Sequence, residues 1–513
     1  MTQIAVRSAV AETHADYPSP PPGDDLLGLL NQHFGYESFR PLQRQIIADA
    51  IDGRDVFALL PTGAGKSICF QLPALARNGM TVVASPLIAL MKDQVDALHS
   101  RGIGATAINS SLPYDEIQER YRRMSAGEYS LVYVAPERLM QPEFLSSLKR
   151  LPVSTFAIDE AHCISQWGHD FRPEYRRLSE LRTHFPAVPI MALTATATER
   201  VRSDIAAQLG LRDPAVHVAS FNRPNLHYAV TSRDKAYERI LEALRSSPQA
   251  PGIIYCQTRR STDALAERLR SDGIRARAYH AGMSSDERRR HQEMFLSDKA
   301  RVICATVAFG MGIDKPNVRF VIHHGLPKNI ESYYQETGRA GRDGEPSRCI
   351  LFFAKGDAVR LRRFADEMEN DRARQLAIRQ IDDIVAFADS KECRRKLLLA
   401  YFGETYGEQN CDACDNCRPK TAPAVHDAGA DEDYDETLFQ RLKALRKRLA
   451  DERDVPAYVV FHDTTLKAIS RALPANGAAL ARIKGIGTRK LQDYGMVFLQ
   501  AVKDHASRNG TNT

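Results

Sequence analysis

The sequence lacks features that mark several whole classes of protein. Its 513 residues include one tryptophan and nine cysteines, and 70 Lys and Arg nearly balance 64 Asp and Glu, for a net charge of +6. So few cysteines exclude a disulfide-stapled scaffold, and so small a net charge does not by itself indicate a polyanionic partner. Apolar runs such as residues 81–91 are shorter than the ~20 residues of a membrane helix. The N-terminal residues do not show the basic segment followed by an apolar segment that marks a secretion signal. We therefore expect a soluble protein that is not secreted.

The chain does contain enough ordinary material for several folded domains. Hydrophobic residues make up 43% and charged residues 26%, values that exclude collagen-like, disordered and coiled-coil chains. At roughly 150 residues a domain, the length predicts three to four domains. The pattern predicts a disordered tail (1–23), two α/β lobes (24–220 and 221–355), a charged helical segment (356–420), an acidic linker (421–433), a basic helical domain (434–508) and a short tail (509–513).

Short apolar strands alternate with amphipathic helices throughout the two lobes. Predicted strands include residues 55–60, 80–85, 130–135, 155–158, 190–194, 252–256, 301–305 and 319–323. Apolar strands separated by helices predict parallel sheets that are covered on both faces. The pattern is interrupted by Asn222, Pro224 and Asn225, which place the boundary between the two lobes.

A glycine-rich loop follows the first predicted strand. Residues 60–67 read LPTGAGKS and precede a helical pattern. The backbone amides of such a loop point at phosphate oxygens. The residues that would form this cradle are Thr62, Gly63 and Gly65. Lys66 adds positive charge near the outer phosphates, and the Ser67 hydroxyl can ligate Mg²⁺. The first position of the full motif is leucine here instead of glycine, so a chance glycine-rich surface turn stays open as the alternative.

Two adjacent carboxylates end a second buried strand. Asp159 and Glu160 directly follow the apolar strand residues. Neighbouring acids at such a place are costly unless a cation or ordered water uses them. Asp159 can hold Mg²⁺, and Glu160 can orient and deprotonate an attacking water. The alternative, an exposed acidic turn, is disfavoured by the phosphate loop in the same lobe.

An arginine-rich segment of the second lobe is the third element. Residues 335–342 read QETGRAGR. Arg339 and Arg342, three apart on a predicted helical turn, share one face and can reach across a cleft to phosphate charge, as arginine fingers do. An isolated arginine-rich turn is more often solvated surface.

Together these elements resemble a superfamily-2 helicase core, and the sequences of the motifs are similar to those of the RecQ family of DNA helicases. The resemblance runs from about residue 28 to residue 420. It implies two RecA-like parallel-sheet lobes with ATP between them. Residues 34–43 resemble the family's adenine-recognition segment, which implies that Tyr36 stacks on the base and that Arg40 and Gln43 contact it.

The resemblance also implies residues that couple hydrolysis to DNA. His162 completes the DEAH form of the second motif and is similar to the family's coupling residue, and Thr194 and Thr196 belong to a segment like the motif that links the lobes. Residues 306–316 resemble the segment that touches both nucleotide and nucleic acid, which implies roles for Gly312 and Asp314; Gln335 is a further expected nucleotide contact. Family precedent implies ATP-driven 3′ to 5′ movement on single-stranded DNA.

An aromatic-rich loop follows the DEAH residues. Residues 163–175 read CISQWGHDFRPEY and match the loop that sets the RecQ family apart. Aromatic faces stack on unpaired bases at roughly 1–3 kcal/mol per base, and arginine adds backbone or cation–π contacts. The residues expected to touch DNA are Trp167, His169, Phe171 and Arg172. A core aromatic cluster would be the ordinary interpretation of this segment if it stood alone.

Four cysteines have the spacing of a metal site. Cys393, Cys411, Cys414 and Cys417 have 17, 2 and 2 positions between them, and this spacing suits a structural zinc held by four thiolates. An iron–sulfur cluster is the main alternative, although the expected further cysteine is missing. The same spacing resembles the RecQ zinc subdomain. The other five cysteines lie in apolar contexts and are expected to be inert core thiols.

The resemblance fails after the zinc site. Well-studied family members carry a winged-helix domain there, of about the size of an ordinary small domain, and no such domain fits before the terminal helices. Residues 434–513, with 14 Lys and Arg against 8 Asp and Glu, resemble instead the family's all-α HRDC domain. A Gly-Ile-Gly turn flanked by Lys484, Arg489 and Lys490 can present amides and charge to a DNA backbone. A solvated basic turn or a protein-docking face is the alternative.

We therefore expect an ATP-, Mg²⁺- and Zn²⁺-dependent DNA helicase of repair or recombination. An ATP-driven translocase or annealing factor that unwinds poorly remains open, as does a nucleic-acid-binding scaffold with a regulatory ATP site; an RNA helicase is disfavoured. Expected partners are single-stranded and partly duplex DNA, with repair or single-strand-binding proteins. The protein is expected to be a monomer, located in the cytoplasm with the nucleoid of a bacterium or in the nucleus of a eukaryote.

Overall fold

The computed structural model describes residues 26–109, 112–168, 170–307, 309, 315–418, 434–453 and 455–509. The predicted tail at 1–23 and linker at 421–433 lie outside this part of the chain, as does nearly all of the tail predicted at 509–513. In the described part, no helix combines the length and the apolar character that crossing a membrane requires.

The first lobe is built on a seven-stranded parallel sheet. Its elements are α1 (Leu26–Phe34), α2 (Gln43–Ile51), β1 (Val56–Leu59), α3 (Lys66–Ala76), β2 (Met80–Ala84), α4 (Ile88–His99), β3 (Ala105–Ile108), α5 (Tyr114–Ser125), β4 (Leu131–Val134), α6 (Pro136–Leu139), α7 (Pro142–Leu148), β5 (Val153–Ile158), α8 (Pro173–Arg176), α9 (Leu181–His184), β6 (Ile190–Thr194), α10 (Glu199–Gln208) and β7 (Ala215–Val218), with 3-10 turns at Ala161–Ile164 and Arg177–Glu180. The strand order is β3-β4-β2-β5-β6-β1-β7, and every pair is parallel.

Strand β1 shows why the sheet is covered on both faces. Phe57 and Leu59 pack into one apolar cluster, whereas Val56 and Ala58 pack into another on the opposite face. Since successive strand side chains point to opposite faces, a strand with no polar residue must be covered by helices on both sides. The phosphate loop leaves the sheet at the carboxyl end of this strand.

The second lobe has a six-stranded parallel sheet. Its elements are β8 (Leu226–Ser232), α11 (Ala236–Arg245), β9 (Gly252–Tyr255), α12 (Arg259–Ser271), β10 (Ala276–Tyr279), α13 (Ser285–Leu296), β11 (Val302–Ala305), β12 (Phe320–His323), α14 (Ile330–Thr337) and β13 (Ser347–Phe353). The order is β10-β11-β9-β12-β13-β8, again all parallel. The prediction of two parallel-sheet lobes is confirmed.

Helices follow the second lobe. The cysteine region contains α15 (Lys355–Asp366), α16 (Asp371–Asp389) and α17 (Arg394–Tyr401), and the terminal region contains α18 (Glu436–Glu452), α19 (Ala457–Val460), α20 (Asp463–Ala472), α21 (Gly477–Ala481) and α22 (Thr488–Asn509). The terminal helices enclose a separate apolar core that includes Leu442, Phe461 and Phe498. The predicted helical cysteine region and the all-α terminal domain are both present.

An aromatic cluster joins the lobes to the cysteine region. Phe221, between the two lobes, stacks on Phe402 with ring centroids 4.4 Å apart, and Tyr334 of α14 packs edge-on to Phe402 at 5.0 Å. The Phe221 amide donates to the Glu404 carboxylate at 2.6 Å. The cysteine region therefore packs where the two lobes meet.

The terminal helices contact both lobes. Lys467 of α20 donates to Glu345 of the second lobe at 2.7 Å. A side chain added at Gly487 would lie 3.6 Å from the carbonyl oxygen of Gly35 in the first lobe. The terminal domain thus lies beside the segment that carries Tyr36 and beside the end of the arginine-rich segment.

Candidate active site and metal centre

The phosphate loop has the backbone that a cradle needs. Gly63 and Gly65 have φ values of 85° and 82°, in the left-handed region that favours glycine. Helix α3 begins at Lys66, so Lys66 and Ser67 occupy its first turn, where both remain partly exposed. A helix N-terminus with unpaired amides favours a bound anion, which suits the phosphate group of a nucleotide.

Two residues of the proposed adenine segment hold the phosphate loop. Arg40 donates to the carbonyl of Gly63, and Gln43 donates to the carbonyls of Ala64 at 3.2 Å and Gly65 at 3.1 Å. Tyr36 is 47% exposed, so its ring is available for stacking. The segment and the loop therefore form one continuous wall of the cleft.

The paired carboxylates lie directly after β5. The Glu160 amide donates to Oδ1 of Asp159 at 3.0 Å, and Glu160 takes a left-handed φ of 48°. Burial, and then the charge of Glu160, raise the pKa of Asp159, whereas Lys66 opposes the shift. A carboxylate that loses water and faces a second carboxylate gains from a cation, so this pair fits Mg²⁺.

A path of polar contacts leads from these acids to the second lobe. Oε2 of Glu160 is buried and lies 3.4 Å from Nδ1 of His162, which is 2.9 Å from Oγ1 of Thr194. The Thr194 hydroxyl donates to the Thr196 carbonyl at 3.2 Å, and Gln335 donates to the Thr196 hydroxyl at 2.8 Å. The path ends on α14, the helix that leads into the arginine-rich turn.

The imidazole in this path is neutral. Burial lowers the pKa of His162 to about 4. Because the Thr194 hydroxyl already donates to Thr196, it accepts from His162, which assigns the imidazole proton to Nδ1. Glu160 Oε2 lies 3.4 Å from the same nitrogen without forming a hydrogen bond, so Thr194 is the partner that orients the ring.

The two arginines lie in the turn that follows α14 and not on the helix, because α14 ends at Thr337. Arg342 packs on the phosphate loop, since a side chain added at Gly63 would lie 3.0 Å from its Cγ. Arg339 is buried and lies close enough to Tyr255 of the second lobe to lower its pKa against the larger effect of burial, which raises it to about 12. Both arginines therefore lie near Tyr255, and Arg342 also packs against the phosphate loop.

Arg223 is a cleft residue that sequence reasoning missed. Its guanidinium donates to the carbonyls of Ala340 at 3.0 Å and Gly341 at 2.8 Å, and lies 3.4 Å from those of Thr62 and Gly338. It thereby connects the phosphate loop to the arginine-rich turn. The one sequence signal for Arg223 was its position in the boundary segment between the lobes, and that segment has no charge pattern that would indicate a cleft residue.

The aromatic-rich loop is fixed by polar contacts. Arg172 donates to the Pro86 carbonyl at 3.0 Å and to Asp170 at 3.1 Å, so it braces the loop instead of standing free. Phe171 is half-buried. Trp167 lies between two guanidinium groups, with Arg200 at 3.2 Å and Arg372 at 4.3 Å from the ring centroid. Three other predicted residues lie outside the described part of the chain: His169, Gly312 and Asp314.

The four clustered cysteines converge. The sulfur atoms of Cys393, Cys411, Cys414 and Cys417 all lie within 4.8 Å of one another, and those of Cys411 and Cys417 are 3.9 Å apart. Tetrahedral zinc with Zn–S bonds of ~2.3 Å requires sulfur separations of ~3.8 Å. The cluster therefore fits zinc, with no need for a fifth protein ligand.

The basic turn of the terminal domain offers fewer free charges than its sequence indicates. Lys484 is exposed, and Arg489 has 82% of its side chain exposed. Lys490 instead packs over the Phe461 ring at 5.6 Å, and its burial lowers its pKa. Two of the three predicted DNA contacts are therefore accessible, and the third supports the domain's core.

Known families match the chain in consecutive parts. The models are DEAD/DEAH box helicase at residues 40–205, helicase conserved C-terminal domain at 235–344, RecQ zinc-binding at 355–418 and HRDC domain at 435–502. The ATP-dependent DNA helicase RecQ of Pasteurella multocida is 36% identical over 602 aligned positions, which cover 96% of this chain and 95% of the relative. This chain belongs to the RecQ family.

Other comparisons agree with the RecQ assignment. The RecQ helicase of Bacillus subtilis is 36% identical, with 93% of this chain and 98% of the relative covered. Among solved structures, the helicase Lhr of Mycobacterium smegmatis, bound to ssDNA and AMP-PNP, aligns with a TM-score of 0.52 at 19% identity. That alignment covers 70% of this chain and 52% of Lhr, and it shows the shared fold of the lobes.

Part of the P. multocida relative has no counterpart in this RecQ chain. The alignment with the P. multocida protein is 89 positions longer than the 513-residue chain, so at least that many residues of the relative have no counterpart here. The zinc-binding match ends at residue 418, and the HRDC match already begins at residue 435. The two matched domains therefore follow each other closely in the sequence.

Proposed function

We propose that the protein is a 3′ to 5′ DNA helicase of repair or recombination, which couples Mg·ATP hydrolysis to translocation on single-stranded DNA. The observation that carries this proposal is the path from Glu160 through His162, Thr194 and Thr196 to Gln335. It gives the acids of one lobe a direct mechanical connection to the other lobe. Hydrolysis can therefore alter how the lobes meet.

The first lobe supplies the groups for hydrolysis. Lys66 neutralises charge on the outer phosphates, and Ser67 and Asp159 would hold Mg²⁺, which supplies further electrostatic stabilisation when bound. Glu160 positions the attacking water and accepts its proton, for which its buried Oε2 is suitably placed. Neutral His162 lies 3.4 Å from that carboxylate and connects it to Thr194, to which its Nδ1 proton is donated.

The second lobe completes the site. Arg342, against the phosphate loop, stabilises the charge that develops on the transferred phosphoryl group. Arg339 holds the turn against Tyr255, so its role is to position Arg342. We assign Gly312 and Asp314 to the nucleotide on family resemblance alone.

The decisive experiment separates hydrolysis from folding. Glu160→Gln should lower single-strand-stimulated ATPase kcat by about 100-fold or more while ATP binding persists, because the base is lost but the cleft is not. Glu143→Gln, an exposed glutamate on α7, is the control and should leave the rate unchanged. Normal ATPase in the Glu160 variant would overturn the assignment of Glu160 as the base.

Substrate and polarity need their own comparison. Purified protein should release the strand of a 3′-tailed duplex and not that of a 5′-tailed duplex, and single-stranded DNA should stimulate its ATPase more than single-stranded RNA does. The opposite preference for tails would contradict the proposed polarity. Stronger stimulation by RNA would contradict the proposed substrate.

The short interval after the zinc region favours a second candidate function. Since the HRDC match begins at residue 435, soon after the zinc-binding match ends at residue 418, the protein would be an ATP-driven translocase or annealing factor with weak unwinding. Robust ATPase together with negligible strand release would support this candidate over the first. Forked and junction substrates extend the same comparison to other DNA structures.

The remaining expectations concern the protein's assembly and location. We propose that it acts as a monomer on single-stranded and partly duplex DNA, alongside single-strand-binding or repair proteins. A bacterial source would place it in the cytoplasm with the nucleoid, and a eukaryotic source in the nucleus. A mass near 57.3 kDa by light scattering is the expected result for a monomer.

A further inference from the structure

Three metal-binding side chains converge beside the turn that carries the DEAH residues (159–164, here the DEAH turn). Nε2 of His162 lies 3.7 Å from Sγ of Cys163, and the Cys163 thiol donates to Oδ2 of Asp170 at 3.9 Å. The ligand atoms of the three residues all lie within 4.8 Å of one another. Imidazole nitrogen, thiolate sulfur and carboxylate oxygen are the kinds of ligand that zinc takes from proteins.

The separations are close to those of a zinc site with three protein ligands. Zinc bonds of ~2.0–2.3 Å in tetrahedral directions place neighbouring ligand atoms ~3.5 Å apart. The Cys163 sulfur is 3.7 Å and 3.9 Å from its two neighbours, so these pairs need only small shifts. The Asp170 side chain is 39% exposed, so it can rotate to close the remaining gap and it gives the metal a way in from water. Three protein ligands leave the fourth zinc position to a water molecule.

The fold keeps the three ligands oriented toward one another. The Arg172 amide donates to the Cys163 carbonyl at 3.0 Å, which closes the segment between them into a loop and holds Asp170 beside the sulfur. The Arg172 guanidinium donates to Oδ2 of Asp170 at 3.1 Å, and a partner of this kind orients a ligating carboxylate. On the imidazole, the Nδ1 proton is donated to Thr194, which directs the lone pair of Nε2 toward the sulfur.

The charges around the cluster favour a cation that binds reversibly. Burial, and then the charges of Asp170, Glu160 and Asp159, raise the pKa of Cys163, whereas Arg172 opposes them. Cys163 is therefore a thiol in the absence of metal, and its proton leaves to water as the zinc–sulfur bond forms. Loss of this proton makes the site weaker than the four-cysteine cluster. Magnesium prefers oxygen ligands, so sulfur and imidazole select zinc over the magnesium that serves ATP.

A zinc ion at this cluster would join two parts of the molecule that have different roles. His162 and Cys163 belong to the DEAH turn, and His162 is a member of the path from Glu160 to the second lobe. Asp170 belongs to the aromatic-rich loop. A metal bonded to both parts fixes the loop to the turn, so the loop can no longer change its position relative to His162.

We propose that His162, Cys163 and Asp170 form an inhibitory zinc site, separate from the four-cysteine cluster. The bound zinc locks the aromatic-rich loop to the DEAH turn and prevents DNA from stimulating hydrolysis. Hydrolysis without DNA continues, because the groups that carry it out are not among the zinc ligands. The inhibition rests on the proposed DNA-dependent function, whereas the binding of the metal does not.

Cobalt tests the binding step without any measurement of activity. Co²⁺ accepts the same ligands as Zn²⁺, and a cobalt–thiolate bond absorbs in the near ultraviolet. Protein whose four-cysteine cluster is already filled with zinc should gain this band when Co²⁺ is added, and Cys163→Ala should not. Cys304→Ala removes another buried thiol, in β11, and should keep the band. Asp170→Asn changes a partly exposed side chain and should weaken cobalt binding by at least about tenfold.

The ATPase assay tests the inhibition. With Mg·ATP in excess, free zinc set by a metal buffer should lower the DNA-stimulated rate of the wild type about tenfold, toward the rate without DNA. The rate without DNA should not change, and a chelator should restore the stimulated rate. At the same zinc concentration, Cys163→Ala should keep its stimulation by DNA, and Cys304→Ala should lose it as the wild type does.

Three results would overturn the inference. A cobalt band of equal strength in the wild type and in Cys163→Ala would place the metal elsewhere. Equal inhibition of the two proteins by zinc would mean that zinc acts by displacing magnesium. A cobalt band that depends on Cys163, without any loss of DNA stimulation, would disprove the lock. Because the cobalt band needs neither ATP nor DNA, absence of DNA stimulation in the zinc-buffer control would contradict the proposed helicase function and not the metal site.

Discussion

Gly65 of the phosphate loop carries two separate constraints. Its φ of 82° is left-handed, and a Cβ built there lies 2.5 Å from Nε2 of Gln43. Gly65→Ala should therefore cost about 1–2 kcal/mol in backbone strain and push Gln43 off the loop carbonyls. We expect the KM for ATP to rise roughly ten- to hundredfold in a steady-state ATPase titration, because both parts of the cleft wall move.

A matched glycine of the same lobe separates strain from the clash. Gly127 has a φ of 74° but nothing within 4 Å of an added Cβ. Gly127→Ala should lower the free energy of unfolding by about 1 kcal/mol and leave the KM for ATP unchanged. An equal rise in KM for both variants would mean that the cleft responds to general destabilisation and not to Gln43.

His162 makes stability depend on pH in a defined direction. Burial lowers its pKa to about 4, while the unfolded chain titrates near pH 6.5. As the pH falls below about 6.5, the unfolded chain binds a proton that the folded chain refuses, so the folded state loses stability; above that pH nothing changes. Between pH 7 and pH 5 the loss is about 2 kcal/mol.

The measurement compares wild type with His162→Gln, which cannot titrate. Urea unfolding of both proteins at pH 7 and at pH 5 should show the stability difference moving by about 2 kcal/mol in favour of the variant at the lower pH. Other titrating groups act on both proteins and cancel. A difference that stays constant with pH would contradict a buried neutral imidazole.

At the scale of elements, the zinc turn is attached to the edge of the second sheet. Tyr228 of β8 forms a bridge with Cys414, and the Tyr228 amide donates to the Ala413 carbonyl at 3.1 Å. The Val230 amide donates to the side chain of Asp415 at 2.9 Å. The cysteine cluster therefore fixes a turn that extends the sheet, and loss of the metal should destabilise the second lobe.

Cys414→Ser tests that attachment. We expect the variant to lose its zinc, to melt at a lower temperature and to bind single-stranded DNA more weakly, since one missing thiolate lowers zinc affinity by at least about tenfold. Cys304→Ser, in the buried strand β11, controls for the loss of any core thiol and should keep the metal. Unchanged melting and DNA affinity in Cys414→Ser would contradict a structural zinc.

Sequence patterns predicted the elements that are buried on both faces. All eight predicted strands are present, with ends that differ by two residues at most. Strands outside the named examples include β7 and β10, which lie at the edges of the two sheets. Polar members of these two strands, His217 and Arg277, break the apolar run on which the prediction depended. An edge strand is covered on fewer sides, so its sequence carries a weaker signal.

Local motifs likewise predicted which residues belong together, but not their partners. Within residues 60–67 and 159–162, residues that are adjacent in sequence act on the same nucleotide and metal, so their spacing is visible in the sequence. The contacts of Arg223 with the phosphate loop, and of Arg372 with Trp167, join residues that are 161 and 205 positions apart. No periodicity records such a pairing, because it depends on how whole domains pack.

At the scale of the whole molecule, one ion pair connects the terminal domain to the second lobe. Lys467 and Glu345 are 2.7 Å apart, with 22% and 18% of their side chains exposed. Glu345 lies three residues after Arg342, so this contact places the terminal domain next to the arginine-rich turn. A partly buried pair of this kind contributes about 1 kcal/mol, enough to change the docked population several-fold.

A charge exchange tests this docking. Lys467→Glu places a second carboxylate opposite that of Glu345, and the repulsion should release the terminal domain. Small-angle scattering at low salt would detect the release as a larger radius of gyration. Combining it with Glu345→Lys restores an opposite pair in reverse order and should recover the wild-type radius, whereas a fault in folding would persist. The zinc-binding match ends at residue 418 and the HRDC match begins at residue 435. Because this interval is short, the released domain stays near the cleft. ATPase should therefore change less than the radius does, and an unchanged radius for Lys467→Glu would mean that other contacts hold the domain.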